Sequence, residues 1–76
     1  MPSKPSEDDV KQAASECTQL LGAIKSQADK AFKMAGQVVK QPGNGPVIEK
    51  LAEAIEEVQA DAAKLKEALA TLQSAT

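Results

Sequence analysis

The chain is 76 residues long, with nine lysines against eleven acids, no arginine, no histidine, one cysteine and one aromatic side chain, Phe32. Cys17 has no second thiol to pair with and no histidine to complete a zinc site, so disulfide and structural-metal frameworks are both excluded. A chain this short holds a marginal core by itself, which leaves helix packing and self-association as the means of stabilisation.

Residues 1–5, Met1-Pro2-Ser3-Lys4-Pro5, carry two prolines and no hydrophobic period, and they read as a flexible tail. They contain no signal-peptide core, and no apolar run in the chain approaches the roughly 20 residues of a membrane span. With a lone thiol, that pattern gives a cytoplasmic location as the expectation.

Ser6 opens the first helix. Ser6-x-x-Asp9 is close to a capping box, with Asp in the position usually held by Glu. Glu7, Asp8 and Asp9 also suit the positive end of the helix dipole. Helix 1 is expected over about residues 7–41. With Val10 as heptad position a, row a reads Val10, Cys17, Ile24, Ala31 and Val38. Row d reads Ala13, Leu20, Gln27, Met34 and Gln41, and row e reads Ala14, Leu21, Ala28 and Ala35. Three adjacent apolar rows make a stripe suited to a bundle rather than a two-stranded seam. Phe32 and Val39 lie beside that stripe and read as flanking core; if a partner docks on the hairpin, this flank with Met34 is the expected place. Gly22 falls in mid-helix, either to admit a close backbone approach or as a tolerated cost.

Pro42-Gly43-Asn44-Gly45-Pro46 cannot continue a helix. Residues 42–45 are therefore read as a turn. Pro46, with its fixed φ, begins helix 2 over about residues 46–74, with Asn44 or Gly45 as N-cap. Here row a reads Ile48, Ile55, Ala62 and Leu69, and row d reads Leu51, Val58, Leu65 and Leu72. Four heptads without a polar a or d residue are a coiled-coil signal. Row g adds Val47, Ala54, Ala68 and Ala75, interrupted by Asp61.

A short turn makes the helices antiparallel neighbours. Residue i of helix 1 is then expected beside about residue 87 minus i of helix 2, which sets Ala31 and Gln27 against Ile55 and Val58, and Ile24 against Ala62. The basic stretch Lys25, Lys30, Lys33 and Lys40 comes to lie beside the acidic stretch Glu49, Glu53, Glu56, Glu57 and Asp61. Single exposed pairs of this kind contribute only about 0–1 kcal/mol.

No constellation for chemistry emerges. Cys17 lacks a histidine partner and sits at a core position, where a thiol acts as a small apolar group. Glu49, Glu53, Glu57 and Asp61 follow at i, i+4, but a di-metal bundle needs Glu-x-x-His pairs. They read as a solvated acidic face. The glycine-rich turn lacks the lysine and strand of a phosphate loop. No catalytic residue, cofactor or metal is assigned. Gln27, polar within row d, either reaches solvent or fixes register.

The expected fold is thus all-α: an antiparallel helical hairpin, spanning residues 6–76, that dimerises into a four-helix bundle or coiled coil. The expected function is non-enzymatic protein–protein association as a small adaptor or assembly subunit, with the chain itself or a helical partner protein as occupant. The packing residues are Val10, Cys17, Leu20, Leu21, Ile24, Phe32 and Met34 of helix 1, and Ile48, Leu51, Ile55, Val58, Leu65, Leu69 and Leu72 of helix 2. Their role is packing both within the hairpin and across it.

Two alternatives stand beside this. The Pro42-x-x-x-Pro46 turn and the short hairpin loosely resemble needle subunits of type III secretion, although the turn is one residue longer and the ends lack aromatics. That resemblance implies a secretion-system filament subunit, and a short secretion chaperone is the related reading. The other alternative is an RNA-binding regulator of helical-hairpin dimer type using Lys25, Lys30, Lys33 and Lys40. The absence of arginine and of stacking aromatics weighs against nucleic acid.

Overall fold

A computed structural model describes residues 5–75, so most of the expected N-terminal tail, and Thr76, lie outside the described residues. Two helices make up the fold: α1, Glu7–Lys40, and α2, Gly45–Ser74. They pack side by side as an antiparallel hairpin measuring 56 × 20 × 15 Å.

Both helix starts are made by local chemistry. The Ser6 backbone N–H donates to Asp9 Oδ2 at 3.1 Å, and the Asp9 N–H donates to Ser6 Oγ at 3.2 Å. The capping box therefore closes with the shorter acid, and two otherwise unpaired donors are satisfied. Asn44 caps α2 by accepting from the Val47 N–H at 3.4 Å, while its amide donates to Gln41 Oε1 at 2.9 Å. Pro46 occupies the first turn, where its missing N–H costs nothing. Pro42 ends α1 one residue past Gln41, whose N–H still reaches Gln37 O at 2.8 Å.

Neither glycine of the turn adopts a positive φ. The connection thus rests on Pro42 and the Asn44 cap rather than on left-handed backbone. Gly22 faces open space: a Cβ there would meet nothing within 4 Å. It is tolerated, and it admits no close approach.

The interior is thin. Among the described residues the fully buried ones are Ala13, Ala54 and Ala68, and no large side chain is wholly enclosed. Rows a and d of α1 face α2 as expected, with Val10, Cys17, Leu20, Ile24, Ala31, Met34 and Val38 half-buried.

In α2 the seam is rotated from the expectation. Rows d and g face α1: Leu51, Val58, Leu65 and Leu72 are half-buried beside Val47, Ala54, Asp61 and Ala68. Row a is turned outward, with Ile48, Ile55 and Leu69 exposed at 43%, 44% and 46%. Ile55 and Ala62, expected opposite Ala31 and Ile24, are exposed. Two physical reasons account for the rotation. Gln27 needs a polar partner inside the seam, and Asp61 of row g supplies it at 2.8 Å, whereas an a/d seam offers only apolar neighbours. Ala54 and Ala68 are also small enough to let the helix axes approach closely, and they are the most enclosed residues of α2.

Candidate association face

One consequence of that rotation is a two-sided hairpin. Row a of α2 sits about 90° from the centre of its seam, at 100° per residue. Rows e and b of α1 lie on the corresponding flank of their own seam. Because the helices run in opposite directions, these flanks emerge on the same side of the hairpin.

The opposite side is mixed in character. A shallow groove there is lined by Glu16, Gln19, Leu20 and Ala23 of α1 with Asp61, Lys64, Glu67, Ala68 and Thr71 of α2, so charged and polar side chains alternate with apolar ones. The first side is apolar. It carries Leu21 at 53% exposure, Phe32 at 79% and Val39 at 82%, together with Ile48, Ile55 and Leu69. Exposed alanines fill between them, Ala14 and Ala28 from α1, Ala52 and Ala62 from α2. Past the first turn of α1, the charges on rows e and b of α1 are Lys11 and Lys25, and Lys66 lies on row e of α2, beside row a. Among the described residues, all six of the large apolar side chains that the fold leaves exposed therefore share one face.

The sequence-derived packing residues separate into two groups. Val10, Cys17, Leu20, Ile24 and Met34 join Leu51, Val58, Leu65 and Leu72 in the seam between the helices. Leu21, Phe32, Ile48, Ile55 and Leu69 lie on the outer face. Met34 belongs to the seam, so the flank expected to include it consists of Phe32 and Val39 without it. Ala13, Ala54 and Ala68 do not stand out as interior residues in the sequence, since alanines alternate with larger residues throughout and periodicity weights them little.

Asp61 is expected among the solvated acids, whereas it is half-buried and bonded across the seam. The signal for this is the break it makes in row g, level with the polar Gln27. The Gln27 Nε2 donates to Asp61 Oδ2, while Gln27 Oε1 is buried without a partner among the described residues. The Gln27 amide is therefore held in the seam and does not reach out to solvent.

The remaining candidates stay apart from one another. Cys17 is a free thiol, half-buried in the seam. Lys25, Lys30, Lys33 and Lys40 are exposed, as are Glu49, Glu53, Glu56 and Glu57. Ion pairs among the described residues lie within α1, Lys11 to Glu7 at 3.8 Å and Lys33 to Asp29 at 3.3 Å, and none joins the basic stretch to the acidic one. Among the described residues no group of three or more His, Cys, Asp or Glu is placed to hold a metal ion, and no helix is long and apolar enough to cross a membrane. Compared with known proteins, the chain matches no family model, no curated protein and no solved structure.

Proposed function

We propose that the hairpin is a protein–protein association module, a small adaptor or assembly subunit whose working surface is the apolar face of Leu21, Phe32, Val39, Ile48, Ile55 and Leu69. The observation that carries this reading is the segregation itself. Scattered exposed hydrophobes are ordinary on a protein surface, but six large ones gathered on one face, with few charges among them, mark a surface that is covered in use. A second copy of the chain covers it in this reading, so that the hairpin pairs into a four-helix bundle with the face at its centre.

Sedimentation equilibrium across the micromolar range tests the reading. A discrete dimer is expected, and Ile55→Ser/Leu69→Ser is expected to return the chain to a folded monomer with its helical circular dichroism retained. A wild-type chain that stays monomeric at every concentration overturns self-association. Open-ended growth in light scattering would favour the filament alternative instead.

A further inference from the structure

The apolar face is patterned as its own complement. On α2 the row reads Ile48, Ile55, Ala62, Leu69. Reversed and laid on itself, it sets Ile48 against Leu69 and Ile55 against Ala62, with facing residue numbers that sum to 117 in both cases. On α1 the exposed apolar residues Leu21, Ala28, Phe32 and Val39 behave the same way: Leu21 meets Val39 and Ala28 meets Phe32, each pair summing to 60. The midpoints are residue 30 of α1 and a point between Gln59 and Val58 of α2. The Gln27–Asp61 bond sets residue i of α1 level with about residue 88 minus i of α2. Both midpoints therefore fall at the same height of the hairpin, within about 1.5 Å, one residue's rise.

We infer that the occupant of this face is a second copy bound antiparallel, across a two-fold axis that passes the hairpin at the level of residue 30 and Gln59. This rests on the association reading above and specifies its geometry. α1 then lies on α1 of the other copy and α2 on α2. In the middle of the interface, each copy places Phe32 and Ile55 over the Ala28 and Ala62 of the other, bulk into gap, as interdigitation requires.

Charge selects the same arrangement. Along the outer edge of α2, Glu49 and Glu56 belong to its first half and Lys66 to its second. Antiparallel stacking brings Lys66 of each copy beside Glu49 of the other, only about two residues off the ideal register. It also sets Glu56 opposite Ala63, and Lys25 of α1 opposite Ala35.

The other two-fold choice has its axis along the helices and stacks α1 on α2 of the second copy. It fails on both counts. It sets Phe32 on Ile55, with Ala28 about two residues from Ala62, leaving a void beside a collision, and it brings Lys25 to within about three residues of Lys66 of the other copy. The strip from Leu21 to Val39 is about 27 Å long at 1.5 Å per residue, on a hairpin 20 Å across. It offers on the order of 500 Å² per copy, about 1,000 Å² in total, which is the lower bound for a specific interface.

Site-directed cross-linking separates the arrangements. In a Cys17→Ser background, Gln59→Cys lies at the axis and faces its own copy, so a short bismaleimide should join two chains in high yield. Lys66→Cys lies about 15 residues out of register with itself, roughly 22 Å along the helix, and should not cross-link. Glu49→Lys and Lys66→Glu should each weaken the dimer by about threefold or more in sedimentation equilibrium, and the double swap should restore it. A dimer that links through position 66, or that fails to link through position 59, or whose double swap is no better than either single, overturns the antiparallel arrangement and leaves association standing. A monomer in sedimentation overturns both. Circular dichroism of each variant confirms that the hairpin is still folded.

Discussion

The Gln27 side-chain amide donates to Asp61 Oδ2 across the helix seam at 2.8 Å, and this bond decides which side of α2 is left outside. Helix α2 has three adjacent apolar rows and α1 covers two of them. Pairing Gln27 with Asp61 draws row g inward and turns row a out. Removing one partner should cost more than removing both, because a half-buried amide or carboxylate is then left unpaired. Asp61→Leu is expected to lower the unfolding free energy by about 1–3 kcal/mol. Gln27→Leu/Asp61→Leu should recover most of that loss, as read by urea unfolding at one fixed protein concentration.

The two rows of α2 should respond differently to a charge. Val58 is half-buried at the centre of the seam, where a carboxylate would lose part of its hydration among apolar neighbours. Val58→Asp should destabilise the hairpin by several kcal/mol or prevent folding. Ile55→Asp, on the outer face, should leave a folded hairpin. Equal loss of helical circular dichroism in the two variants would contradict the rotated seam.

Gly22 and Gly36 offer a gain in stability. A methyl group at either position would meet nothing within 4 Å, and both are exposed on α1 outside the seam, at the edge of the apolar face. Gly22→Ala and Gly36→Ala should each raise stability by about 0.5–1 kcal/mol through helix propensity alone. Thermal melts that stay unchanged or fall would show that these positions touch something.

The start of α1 depends on a reciprocal pair of bonds between Ser6 and Asp9. Ser6→Ala should cost about 1 kcal/mol and fray the first turn, seen as faster amide exchange at residues 8–10 than further along the helix. Uniform exchange along α1 would argue that packing, not the cap, holds that end.

Much of this fold is legible in the chain because its determinants are local. Ser6-x-x-Asp9, Pro42 and Asn44-Gly45-Pro46 each act over three or four residues, and they place the helix ends and the reversal. The rotation of α2 is not legible from row composition. Rows a and d are apolar and row g is broken only by Asp61, and an a/d reading favours the bulkiest of them, whereas packing against a partner helix also rewards small residues such as Ala54 and Ala68. The deciding information is a pairing between residues 34 positions apart, Gln27 and Asp61. The exposed face follows from that choice, so Leu21, Ile48, Ile55 and Leu69 are recognisable as packing residues while the side on which they pack is not.

An interior sealed by three alanines has a bearing on how the molecule behaves in a crowded or a dilute setting. Alanine contributes little burial energy, so a hairpin with so slight a centre gains much of its resistance to melting from whatever rests against its outside. For a self-pairing chain, mass action then makes the melting temperature climb with the amount of protein present. In the proposed dimer, abundance itself would act as a thermostat: a scarce chain would loosen and meet proteases, and an accumulated one would harden.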